Sequence, residues 1–231
     1  MGLYLGSNKV KINLNEQKVF DAGKDAGTDA FWDVVQNGGN RTAYNSVFTS
    51  WGAEYIRPKY KVVATGVNDA NQTFNACQKL KKVESAYFDF SQKPTGTNSN
   101  SGYYYTFHNC NALEEIEDIG LVPQFGYYSS FAACSVLHTI AKVGVSENTK
   151  FSETFNYCHE LQNLTIDGVI GQNGFDIHWS TKLTHDSLMS IINALQTKTS
   201  GTWTVTLGTT NLAKLTDAEK AIATQKGWTL A

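Results

Sequence analysis

Between residues 74 and 164, apolar side chains recur at every third position in a pattern Phe-x-x-Cys-x-x-Leu-x-x-apolar that occurs four times. The copies are Phe74, Cys77, Leu80, Val83; Phe107, Cys110, Leu113, Ile116; Phe131, Cys134, Leu137, Ile140; and Phe155, Cys158, Leu161, Leu164. All four cysteines of the chain fall in one column of this alignment. Weaker copies flank it: Phe48 and Trp51 upstream, and Ile177, Ser180 and Leu183 downstream, as expected of terminal repeats that face solvent on one side. A further column, Tyr44, Ala70, Tyr103, Tyr127 and Phe151, lies four residues before each Phe and is predicted to point inward too.

One winding of about 24 residues cannot bury its apolar side alone, whereas stacked windings share a continuous core. The Leu-x-x-Ile tail of each copy is predicted to be a strand, with successive strands parallel at roughly 4.8 Å. The Phe-x-x-Cys segment is predicted to form a short turn of helix or 3-10 helix. Cysteine suits an interior column because it acts as a small hydrophobe. Neighbouring cysteines would project side by side rather than toward one another, which predicts free buried thiols. Zinc sites need closely spaced cysteine pairs, which this chain lacks.

The ends follow other periods. Leu3–Leu5 and Val10–Leu14 read as strands around a Gly-Ser-Asn turn, and Thr28 as the cap of a helix over Asp29–Gln36. Beyond Leu183, Thr184 caps a helix whose apolar stripe is Leu188, Ile191, Ile192 and Leu195. Trp203–Leu207 alternates as a strand, Thr216 with Glu219 forms a capping box for a helix over Asp217–Lys226, Gly227 ends it, and Trp228–Leu230 returns as a strand.

Composition narrows the function. Charged residues are 17% of the chain, and nineteen cations against twenty-one anions give a net charge of −2. That excludes disorder driven by net charge and offers no basic face for nucleic acid. A solvated strand edge accounts for Lys79, Lys81 and Lys82. No run of eighteen apolar residues suggests membrane insertion. The first residues lack the apolar core of a secretory signal, so the expectation is a protein that stays where it is made or leaves within a larger particle. The Asn-x-Ser/Thr triplets at Asn40, Asn71 and Asn163 are then read as chance.

The repeat resembles the BspA-type, or treponemal-type, leucine-rich repeat over residues 44–183. The ends are similar to those of repeat proteins encoded in phages and prophages of gut Firmicutes. That second resemblance rests on Gly2–Val10, Phe31–Thr42, Leu183–Leu195 and Lys226–Leu230. Together they imply an α/β fold: a right-handed leucine-rich-repeat solenoid with a parallel strand ladder and short helical or 3-10 turns. An N-terminal cap would span residues 1–43, five to six coils 44–183, and a C-terminal cap 184–231. The resemblance also implies a non-catalytic recognition module, a tail-associated virion protein produced in the host cytoplasm that binds a host surface protein or glycan. The alternatives are a structural tail or baseplate component touching other virion proteins, or an adhesin of the bacterial cell surface.

Candidate contact residues follow from strand alternation. Residues flanking the inward Leu and Ile face outward: Lys82 and Glu84, Glu115 and Glu117, Thr139 and Ala141, Asn163 and Thr165. Solenoids use such ladders as binding faces, although a solvated sheet face is the plainer reading. The longest interval carries an extra polar stretch, Ser91–Gly102, which is either a binding insertion or an idle loop. Beside it Tyr104, Tyr105 and, one coil later, Tyr128 lie outside the core columns; exposed tyrosines suit protein or glycan recognition, and packing against the neighbouring loop is the alternative. No phosphate loop, nucleophile elbow or metal-ligand spacing is present, so no cofactor, metal or enzymatic role is expected. Glu114, Glu115 and Glu117 read as a solvated charge run, and His108, His138 and His159 fall in different columns.

Overall fold

The structure, a computed structural model, describes residues 11–14, 17–21, 48–57, 61–63, 71–91, 102–121 and 126–231. Two antiparallel strands open it: β1 (Lys11–Leu14) and β2 (Gln17–Asp21), with Leu14 opposite Gln17 and Lys11 opposite Asp21. The partner Gln17–Asp21 is a segment the sequence pattern did not single out. Only Asn15 and Glu16 separate the two strands, the shortest connection common in antiparallel pairs. The expected strand at Leu3–Leu5, the helix over Asp29–Gln36, and Tyr44 and Ala70 lie outside the described residues.

The tails of the four motif copies are strands: β4 (Lys82–Val83), β6 (Glu115–Ile116), β8 (Thr139–Val145) and β10 (Asn163–Gly168). They form one parallel sheet in that order. Lys82, Glu115, Thr139 and Asn163 occupy one row across it, and Val83, Ile116, Ile140 and Leu164 the next. The second row is buried. The ladder extends upstream through a bridge between Tyr55 and Lys82. Register breaks between Leu164 and Ile166, where β8 carries one extra residue, so Ala141 and Lys142 both face outward. Shorter parallel pairs lie elsewhere on the windings: β3 (Val62–Val63) with β5 (Phe88–Asp89), and β7 (Gly126–Tyr128) with β9 (Lys150–Ser152). Gly126 passes so close to the Lys150 carbonyl that a Cβ there would collide with backbone.

Inside, equivalent side chains pile into columns. The rings of Phe48, Phe74, Phe107, Phe131 and Phe155 stack with centroids 5.3–5.5 Å apart and planes within 16°. Tyr103 and Tyr127 stack beside them at 5.3 Å. Both are buried, and their hydroxyls donate to main chain, Tyr103 to Phe90 O and Tyr127 to Gly144 O. The four cysteines are free and fully buried. Each thiol is directed at the Phe carbonyl of the preceding copy: Cys77 at Phe48 O (2.8 Å), then Cys110, Cys134 and Cys158 at Phe74, Phe107 and Phe131 O (each 3.0 Å). Burial pushes the Cys77 thiol up to about 12 and the thiols of Cys110 and Cys158 well above their ordinary range. A buried hydroxyl column accompanies them. Ser130 Oγ donates to Tyr103 O and Thr154 Oγ1 to Tyr127 O, and Thr73 and Thr106 hold the same position before Phe.

The Phe-x-x-Cys segments differ from expectation. They are neither helix nor 3-10 helix but chains of single turns, with Cys N–H bonded to Phe O and Leu N–H to Cys O. Two left-handed residues per winding interrupt any helix. Gln72, Tyr105, Ser129 and Glu153 stand two before Phe, and Ser50, Ala76, Asn109, Ala133 and Tyr157 just before the Trp or Cys, all with φ between 46° and 62°. Left-handed backbone costs an L-residue about 1–2 kcal/mol. The conformation is held because it turns N–H groups toward the next winding: Ala76 N donates to His108 O, Asn109 N to Ala132 O and Ala133 N to Asn156 O. The turns thus form a second hydrogen-bonded ladder beside that of the parallel sheet.

The C-terminal segment covers β10. Helix α1 (His185–Ala194) starts at Thr184, whose side chain accepts from Ser187 N. Ser187 Oγ and Ser190 Oγ accept from Leu164 N and Ile166 N at 2.9 and 2.8 Å, so helix hydroxyls satisfy the edge strand where a fifth strand would pair. Then follow β11 (Trp203–Val205), a four-residue helix α2 (Thr209–Leu212), α3 (Asp217–Gln225) and β12 (Trp228–Leu230), with β11 and β12 parallel. The capping box of Thr216 and Glu219 is present, Lys226 is the C-cap, and Gly227 follows at φ 81°. The sequence did not foretell α2, which has no side-chain cap and is anchored by buried Asn211 donating to Ser180 O and Leu207 O.

Candidate functional site

On the sheet face, the outward residues of β4, β6 and β8 neutralise one another. Lys82 Nζ lies 3.0 Å from Glu115 and 2.7 Å from Glu117, one coil on. Glu84 takes a two-pronged contact from Arg57 at 2.5 and 2.9 Å. Glu117 also accepts from the backbone N–H and hydroxyl of Ser85. The Lys82 ammonium and the Ser85 donors hold the Glu117 carboxyl down at about 2. The bulge in β8 aims Lys142 at Asp118 (2.8 Å) and Asp167 (3.7 Å). Further along, Thr139 accepts from Asn163 at 3.2 Å, while Ala141, Asn163 and Thr165 are exposed. The eight predicted ladder residues do share this face, but their charged members are engaged with neighbours.

The three predicted tyrosines come together on the turn side. Tyr104 and Tyr128 stack at 5.0 Å and 17°, and Tyr105 stands on edge to both, at 4.3 and 5.6 Å. Left-handed backbone at Tyr105 turns its side chain out of the winding, and Asn71 Oδ1 fixes the loop by accepting from Tyr104 N. His108 abuts Tyr105 edge-on at 4.7 Å, and its Nδ1 lies 3.2 Å from Asn75 Oδ1. Partial burial lowers the His108 pKa, so the ring is neutral at physiological pH, although Glu153 pulls the other way. Desolvation by the surrounding rings and the neighbouring phenols raises the Tyr104 pKa, which keeps its hydroxyl protonated. Tyr128 is 41% exposed, so the cluster is packed against itself and open to solvent. Residues 92–101 of the polar insertion beside it lie outside the described residues.

A second ring cluster escaped the sequence reading. Tyr157 and Trp179 stack at 4.8 Å and 32°, His178 lies 4.9 Å from the indole, and His159 stands on edge at 5.6 Å. His178 Nδ1 is tied to Asp176 Oδ1 at 2.6 Å. The available signal was the position just before the Cys column, which holds Tyr157 before Cys158 and Trp179 before Ser180, the serine that takes the place of Cys in the next copy.

Among the described residues no group of three or more His, Cys, Asp or Glu side chains is arranged to hold a metal ion. Among them, too, no helix is long and apolar enough to cross a membrane. The geometry offers aromatic surface and hydrogen-bonding edges, a set suited to adsorbing a ligand. No protein-family model, curated protein or solved structure matches this chain.

Proposed function

We propose that this chain is a non-catalytic recognition module of the leucine-rich-repeat solenoid class, carried on a phage or prophage tail, that binds a host surface protein or glycan. One observation carries the reading: Tyr104, Tyr105 and Tyr128 gather in one solvent-open cluster although nothing in the core requires them there. Tyrosines of this kind offer large contact area at small entropic cost and recur as anchors of recognition surfaces. The repeat columns favour a right-handed coil, the usual hand of parallel crossovers. The similarity of the terminal segments to phage-encoded repeat proteins supplies the tail assignment.

The test is binding of the labelled full chain to intact gut Firmicutes cells by flow cytometry. The wild type is expected to bind at least one host, and the Tyr105→Ala/Tyr128→Ala double variant to bind at least tenfold less. Absence of binding to every host tested, or undiminished binding by the variant, overturns the proposal.

A further inference from the structure

We propose that Tyr157, Trp179 and His159 form a saccharide-binding subsite, separate from the tyrosine cluster at Tyr104, Tyr105 and Tyr128. The position before each Cys column residue reads Ala76, Asn109, Ala133 and Tyr157, and Trp179 continues it before Ser180. Hydrogen bonds to main-chain carbonyls set these windings side by side: Ala133 N donates to Asn156 O at 2.8 Å, and the Ser180 hydroxyl to Cys158 O at 3.0 Å. Two large rings in neighbouring copies therefore pack together outside the core, tilted by 32° where the phenylalanines within it lie nearly parallel. On the upstream side the residue in the column of Tyr157 is Ala133, which offers only a methyl group. Tyr157, at 51%, is the most exposed large apolar side chain of the described residues. Ala132, Ala133 and Ser135 make this intervening winding a step of small residues, with His108 and Asn109 on one side and Tyr157 and His159 on the other.

The rim of this platform is polar and unsatisfied. Among the described residues, the Tyr157 hydroxyl, both His159 ring nitrogens and the Trp179 indole N–H have no hydrogen-bond partner within the chain. The indoles of Trp203 and Trp228, by contrast, donate to Ser200 O and Gln196 O, each at 2.7 Å. A flat apolar ring face bordered by free donors and acceptors complements a pyranose, which has an apolar face of axial C–H bonds and a rim of hydroxyls. Charge points the same way. The cluster holds no lysine or arginine, and the nearby Lys182 is held by Glu160 at 2.6 Å, so a phosphate or carboxylate finds no counter-ion. Tilts of 32° and 37° about Trp179 make a bent platform, whereas a quaternary ammonium needs rings walling it in on several sides.

Saturation-transfer NMR on the purified full chain tests this with methyl glycosides of glucose, galactose, rhamnose and N-acetylglucosamine, and with choline as the competing cation. At least one glycoside is expected to bind. Trp179→Ala is expected to weaken that binding at least tenfold, and Tyr128→Ala to leave it within twofold. Tyr157→Asn keeps a side chain that tolerates left-handed backbone, so it tests the same platform without a folding defect and is expected to match Trp179→Ala. Binding of no glycoside, binding of choline alone, or glycoside binding that survives Tyr157→Asn overturns the assignment. Each outcome is independent of whether the chain binds cells through Tyr105 and Tyr128.

Discussion

The strand side and the turn side of the windings are built at the same interval yet end differently. On the strand side, Lys82, Glu84, Glu117 and Lys142 each meet an opposite charge one coil away. On the turn side, outward rings at Tyr104, Tyr105, Tyr128, Tyr157 and Trp179 pack against one another in two clusters, with Tyr105 and Tyr157 themselves in the left-handed region. A cross-strand ion pair needs only that its register position recur, so the strand side completes itself as the coils stack. Rings on the turn side gain by stacking but keep their outer faces and polar edges for something else. The two proposed binding sites therefore lie on the turn side, although strand alternation makes the other face the more conspicuous one in the sequence.

The largest effect that would break this contrast lies under the turn side. Phe131 is fully buried, with Phe107 and Phe155 parallel to it at 5.5 Å above and below. Phe131→Ala leaves a gap that two stacked rings cannot close without moving their windings. The expected loss is roughly 3–5 kcal/mol, read from the urea midpoint. A loss below about 1 kcal/mol would mean that the ring stack does not hold the turns in place.

How much of this was readable in advance depends on what each residue type advertises. The Phe, Cys, Leu and Ile columns stood out because a buried position in a repeat admits few side chains. The hydroxyl column of Thr73, Thr106, Ser130 and Thr154 was equally regular, but small polar residues read as solvated until their carbonyl partners are known. The left-handed positions were invisible, since Ser50, Gln72, Ala76 and Tyr105 share no residue type and none is glycine. Ser187 and Ser190 lie off the apolar stripe of their helix, and only the sheet edge beside them gives them a role. Of the candidate contact residues, the three tyrosines could be grouped by sequence, whereas Tyr157 and Trp179 required reading the outward columns as carefully as the inward ones.

A smaller effect sharpens the strand side. The Glu117 carboxyl sits at about 2, below its ordinary range of about 4.3 in the unfolded chain. A depressed carboxylate adds stability above its unfolded pKa and loses it as pH falls through the folded one. Its side chain is 31% exposed, so solvent screening reduces the contribution to roughly 1 kcal/mol. Glu117→Gln is expected to lower the urea midpoint at pH 7, and the gap to the wild type should shrink steadily between about pH 5 and pH 2. A gap that stays constant over that range would show that the carboxylate charge is not what Lys82 and Ser85 hold.

The smallest effect carries the most informative sign. Ala133 sits at φ 62°, and its N–H donates to Asn156 O. Glycine is ordinarily worse than alanine because it frees the unfolded chain, by about 0.4–1 kcal/mol. At this position it also removes a left-handed penalty of about 1–2 kcal/mol. The net expectation for Ala133→Gly is a gain of roughly 0.5 kcal/mol in chemical denaturation. The preceding residue supplies the control. Ala132 is buried and its φ is negative, so Ala132→Gly should destabilise the protein by about 1 kcal/mol. If both substitutions destabilise, the turns are not strained as their backbone angles indicate. The turn side would then differ from the strand side only in its side chains.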